Sequence, residues 1–160
     1  MRKVLLAAAA AALFALLMGT LLPPVVASHF DVAGNPNSFV SRNSYLAPMV
    51  IVSARLPLAI AAAGRWTASL SGDLLNIPNK AYWLAPERRT ASLASIAMQI
   101  EWFAVVLAMF LCYVHWLVVR ANWDGSHHLA GVPFVVDLVA FLVFTTGWVV
   151  ALVLRFRDVR

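Results

Sequence analysis

Apolar residues run almost unbroken through four stretches of the chain, 4–27, 46–64, 93–119 and 133–154, and polar residues collect between them. Each stretch is near or above the roughly 20 residues that a helix needs to cross about 30 Å of hydrocarbon. The pattern predicts an all-α polytopic membrane protein, one membrane domain over 1–160, with an outer loop at 28–45 and an inner loop at 65–92. Gly34-Asn35-Pro36-Asn37 predicts a tight turn in the outer loop. Pro48 and Pro57 fall in the second span, and the interior one predicts a kink. Pro86 and Glu87 have the form of a helix first turn. A helix running from there to Arg120 would measure about 52 Å, so the third span begins as an extension outside the bilayer. Ala7, Ala11, Ala15 and Gly19 recur every four residues in the first span, a stripe that lets helices approach closely in lipid.

The basic residues sort by connector. Arg2, Lys3, Arg65, Lys80, Arg88, Arg89, Arg155, Arg157 and Arg160 fall on one side of the predicted membrane, and only Arg42 and Arg120 on the other. By the positive-inside rule both termini are cytoplasmic. Trp66, Trp83 and Trp102 near the inner interface and Trp116 and Trp123 near the outer one agree with these spans. An alternative for the first span is a secretory signal cleaved after Ala27, because Arg2 and Lys3 precede an apolar run ending in small residues. The run is longer than a usual signal core of about 7–15 residues, so retention as a span is expected.

Composition narrows the function. With 62% hydrophobic and 12% charged residues, a soluble fold of this size would expose much apolar surface. The net charge of +5 comes without a basic run or basic helix face, so nucleic acid is not an expected partner. The single Cys112 permits no intrachain disulfide and no cysteine-based metal motif. No nucleotide loop, metal signature or nucleophile–base arrangement occurs, and neither enzymatic activity nor a cofactor is expected.

Four ionisable residues fall inside spans: Arg55, Glu101, His115 and Asp137. Each is costly against lipid and should face the bundle interior. Glu101 and His115, about four turns apart, share one face of the third span. Depth along the helices suggests that Arg55 pairs with Glu101, and His115 with Asp137. These are structural pairs, or alternatively part of a proton or ion path. His29 and Asp31 on one outer loop and Asp124, His127 and His128 on the other offer metal-ligand chemistry without a metal-ligand spacing. Asp31, Asn35 and Asn37 lack the glycine and terminal glutamate that a calcium loop requires.

The stretch LPPVVASHFDVAGNPNSFVSR, residues 22–42, resembles the bacterial membrane domain of unknown function at the N-terminus of SdpI-type immunity and signalling proteins. Leu22, Pro23, His29, Phe30, Asp31, Gly34, Asn35, Pro36 and Phe39 follow that family's outer-loop pattern, and Arg42 closes the stretch. The inner stretch NIPNKAYWLAPERR, with Asn76, Pro78, Tyr82, Trp83, Pro86, Arg88 and Arg89, is similar to a motif of its stand-alone members. The resemblance implies a multi-pass protein of the bacterial cytoplasmic membrane. It further implies a non-enzymatic binding, signalling or protective component that recognises a peptide or another membrane protein through its outer loop. SdpI-type proteins carry further membrane helices after this domain, and this chain shows only four spans. A small proton-linked transporter, using Glu101, His115 and Asp137, is the alternative.

Overall fold

The computed structural model describes residues 1–67, 75–123 and 125–159. Asp124 and Arg160, named above as a loop ligand and a basic residue, lie outside them. In chain order the elements are α1 Arg2–Gly19, β1 Val25–Phe30, β2 Pro36–Ser41, α2 Arg42–Thr67, α3 Lys80–Trp83, α4 Pro86–Trp123 and α5 Gly131–Arg157. Four of the helices, α1, α2, α4 and α5, are long and apolar enough to cross a membrane. The protein is an all-α, multi-pass membrane protein with one small β-hairpin.

Helices α1, α2 and α4 pack together as a trio, and α5 lies chiefly against α4. Small residues let the trio close. The buried face of α1 is Val4, Ala8, Ala11, Ala15 and Gly19, and that of α2 is Ser53, Pro57, Ala61 and Gly64. Ala8 takes the place expected for Ala7, because a strict four-residue stripe drifts around a helix of 3.6 residues per turn. A Cβ on Gly64 would come within 2.7 Å of Ile100 Cγ2, and one on Gly19 within 2.6 Å of Leu46 Cδ1. In lipid such close packing, rather than exclusion of water, holds helices together. The α4–α5 seam is aromatic instead: Phe110 stacks on Phe141 at 4.5 Å, and Phe103 lies 5.1 Å from Trp148.

The first apolar stretch does not stay helical to residue 27. Helix α1 ends at Gly19, Pro23 and Pro24 follow, and Val25 to Phe30 form a strand. Proline cannot supply the helix N–H, and the β-branched pair Val25–Val26 suits an extended chain. Strand β1 pairs antiparallel with β2 in the register Val25↔Ser41, Val26↔Val40, Ala27↔Phe39, with an irregularity near His29. The outer connector is therefore a built hairpin, and α2 begins directly after it at Arg42. Ser41 caps that start, its Oγ accepting the Ser44 N–H at 3.2 Å.

Helix α4 is the spine of the molecule. It starts at Pro86 and runs 38 residues to Trp123, about 57 Å. Glu101, fifteen residues in, lies at the level where α1 begins and α2 ends, so about 22 Å of α4 extends beyond them.

Candidate functional site

The hairpin is organised from its turn outward. Asp31 Oδ1 accepts the backbone N–H groups of Ala33 (2.9 Å) and Asn35 (2.8 Å), and its Oδ2 accepts Asn35 Nδ2 at 3.3 Å. The Asn35 backbone N–H, with smaller contributions from the Asn35 side chain and the backbone of Ala33 and Gly34, holds the Asp31 carboxyl below the usual carboxylate range. Gly34 has φ +86° and is buried against the second outer loop, its carbonyl accepting Leu129 N–H at 2.9 Å. A Cβ there would collide with the Leu129 carbonyl, so only glycine permits both the turn and the docking.

Asn122, at the end of α4, pins the other side. Its side-chain amide faces Ala27 as a neighbouring strand would: Oδ1 accepts Ala27 N–H at 2.8 Å and Nδ2 donates to Ala27 O at 3.0 Å. Nδ2 also donates to Val118 O at 2.9 Å, and His127 Nδ1 lies 3.2 Å from Oδ1. The residue is 3% exposed. Beneath it Leu22, Val26, Val118 and Val119 form a buried cluster with Met18, Phe30 and Tyr45 against it. At the hairpin base Arg42 donates through its backbone N–H to Pro24 O (2.9 Å) and through Nε to Pro23 O (3.4 Å). His127 meets the exposed Phe39 edge-on at 5.4 Å.

Two clefts flank the hairpin, and Ser28 and His29 border both. One, about 310 Å³, is closed by Val40, Tyr45 and Met49. The other, about 420 Å³, lies over Val114, Val118 and Phe134. Val32 at the tip is fully exposed. Asn122 occupies the outer edge of β1, while no strand among the described residues covers that of β2.

The intramembrane residues pair differently from the expectation. Glu101 does not meet Arg55. It accepts from the Met1 amino group at 2.6 Å and lies 3.4 Å from Arg65 and 3.8 Å from Lys3. These cations gather because α1 starts and α2 ends beside it, a juxtaposition that depth along separate spans does not reveal. Lys3 also sits over the Trp102 ring at 4.3 Å. His115 does not meet Asp137 either. It is fully buried between α1 and α2, stacked on Tyr45 at 5.7 Å with Tyr45 Oη 3.0 Å from Nδ1, and Phe14 meets it edge-on. Asp137 lies on α5, on the other side of α4, and its Oδ2 has no hydrogen-bond partner among the described residues. Glu101, His115 and Asp137 thus have different surroundings. Arg55 is exposed on α2, away from its buried face.

The inner motif is a clasp for the end of α5. Asn79, in the left-handed conformation that asparagine tolerates (φ 49°), donates Nδ2 to Arg157 O at 2.6 Å and to Phe156 O at 3.4 Å. Trp83 Nε1 donates to Phe156 O at 2.8 Å, and its ring packs edge-on against buried Phe156. These bonds take up carbonyls that a helix end leaves free. Arg88 lies over the Tyr82 ring at 4.0 Å, and Pro86 opens α4. Asn76, Pro78 and Arg89 lie in or beside this segment.

Of the outer ligand candidates, Asp31 is engaged in its turn, His127 in Asn122 and Phe39, and His29 in Ser28 Oγ at 3.0 Å. The described residues hold no group of three His, Cys, Asp or Glu arranged for a metal ion. Sequence reasoning missed Asn122, an ordinary helix-end asparagine. The hairpin had a usable signal in Pro23-Pro24 followed by a β-rich run and a Gly-Asn-Pro-Asn turn. No family model, curated protein or solved structure matches the chain.

Proposed function

We propose that the protein is a non-enzymatic recognition component of the bacterial cytoplasmic membrane that receives an extended peptide segment on its outer hairpin. The segment belongs to a peptide ligand or to another membrane protein. The carrying observation is the pinning of the hairpin: Asn122 blocks one strand edge and fixes the sheet, leaving the edge of β2 and two flanking clefts uncovered by the described residues. A sheet with one open edge and pockets on both sides suits strand addition, in which main-chain bonds give affinity and pockets give selectivity. The resemblance of 22–42 to SdpI-type proteins supports a binding or protective role for this loop. The positive-inside bias supports a hairpin that faces out of the cell.

A photo-crosslinking residue introduced at Phe39 tests the reading in cells. The account expects a discrete peptide or protein adduct that is lost when Asn122→Ala unpins the hairpin. A crosslinker at Leu142, on the exposed face of α5, should not give it. Identical adducts at both positions, or an adduct indifferent to Asn122, would refute the proposal. Reporter fusions after Gly34 and Ser126, active only outside the cytoplasm, check the orientation against fusions after Lys80 and Arg160.

A further inference from the structure

Arg55 stands at the middle of α2, ten residues from Arg65 and thirteen from Arg42. Arg65 marks one end of the trio through its pair with Glu101, and Arg42 marks the other at the hairpin base. At about 1.5 Å per residue these distances are roughly 15 and 20 Å, which places Arg55 near the centre of a hydrocarbon layer about 30 Å thick. An extended arginine side chain, built from bonds of about 1.5 Å, reaches about 7 Å. It cannot carry its charge to either headgroup region.

The described residues offer no counter-charge. Arg55 is exposed on the face of α2 opposite Ser53, Pro57, Ala61 and Gly64, and no ion pair among the described residues includes it. Glu101 is held by three cations. Asp137 sits on α5, which packs chiefly against α4, and is on the same side of that helix as Phe141 and Trp148, which meet α4. The surface around Arg55 is otherwise apolar, and it is low on the side of Ala59 and Ala62. Ile51 and Val52 lie a turn above it, and Ala59 and Ala62 lie below, all exposed. Small residues at this spacing let a second helix approach closely.

We infer that this face of α2 is a docking surface for a transmembrane helix of another membrane protein that carries a carboxylate at mid-bilayer depth, paired with Arg55. Arginine suits the role because its planar fork meets a carboxylate through two parallel N–H···O bonds. In a medium without water, both charges gain from the pairing. The surface meets the smaller hairpin cleft at Val52, but its centre is Arg55 and it selects a helix rather than an extended segment.

The test uses the full chain in lipid vesicles and synthetic single-span helices of leucine and alanine that differ at one central position: Glu, Gln or Leu. Association is read by energy transfer between labels on the chain and the probe. The Glu helix should associate at least tenfold more tightly than the Gln or Leu helix. Arg55→Met should abolish that preference while leaving helix content and thermal unfolding intact. Arg55→Glu should move the preference to a probe carrying Lys. Equal association of Glu and Gln probes, or a preference that survives Arg55→Met, overturns the inference. Self-association of the labelled chain that is lost in both Arg55→Met and Asp137→Asn would also overturn it, because the occupant would then be a second copy.

Discussion

Both ends of the molecule are fastened by an asparagine side chain that binds backbone, yet the two fastenings differ in kind. At the hairpin end Asn122 is buried and acts as donor and acceptor at once, replacing the strand that β1 lacks. At the clasp end Asn79 is exposed and acts only as a donor, to carbonyls at the end of α5. Water can take over the second task but not the first. The same amide therefore carries a different weight at each end, and surroundings rather than bond count set it.

Asn122→Ala should be the most damaging single change outside the helix contacts. It strands the Ala27 N–H and C=O, each worth about 1–3 kcal/mol when buried without a partner. Thermal unfolding in detergent should show the largest fall among these variants, with the hairpin becoming sensitive to protease. Gly64→Ala comes next. The new Cβ meets Ile100 near its own Cβ at 2.9 Å, where a side chain cannot swing aside, and overpacking of this sort costs about 1–3 kcal/mol. Gly19→Ala meets only the far end of Leu46 and should cost less in the same assay.

At the clasp end effects should be small. Trp83→Phe keeps the ring against Phe156 and loses one hydrogen bond, worth about 1 kcal/mol. Asn79→Gly should be nearly neutral, because water replaces the donor and glycine accepts the positive φ. A clasp variant as damaging as Asn122→Ala would break the contrast between the two ends.

The smallest effect concerns pH. The folded pKa of Asp31 lies below its unfolded value, so the ionised carboxylate stabilises the hairpin above about pH 4. That contribution is lost as the pH falls through the lowered folded value. Protease sensitivity of the hairpin should rise with acid in the wild type and respond less to acid in Asp31→Asn.

The four spans were legible because apolar length alone decides them, and Pro86-Glu87 announced the start of α4. The hairpin was hidden by Val25, Val26 and Ala27, which continue the hydropathy of the first span while belonging to a strand. Its turn was readable at Gly34-Asn35-Pro36-Asn37. The charge pairings were not legible. Arithmetic along each helix gives depth, but not which helix ends meet, and Glu101 is satisfied by residues at the start of α1 and the end of α2. His115 found Tyr45, a partner that a search for opposite charges passes over. Asn122 had no local signature, since its role depends on a strand ninety-five positions away.

Hydrogen exchange of the wild-type protein in nanodiscs, read by mass spectrometry over 25–41, tests the pinned hairpin most directly. The account predicts slow exchange at the paired amides of β1 and β2 and at Ala27. In Asn122→Ala that protection should disappear while α2 and α4 keep theirs. Exchange over 25–41 as fast as in an unstructured loop in the wild type would contradict it.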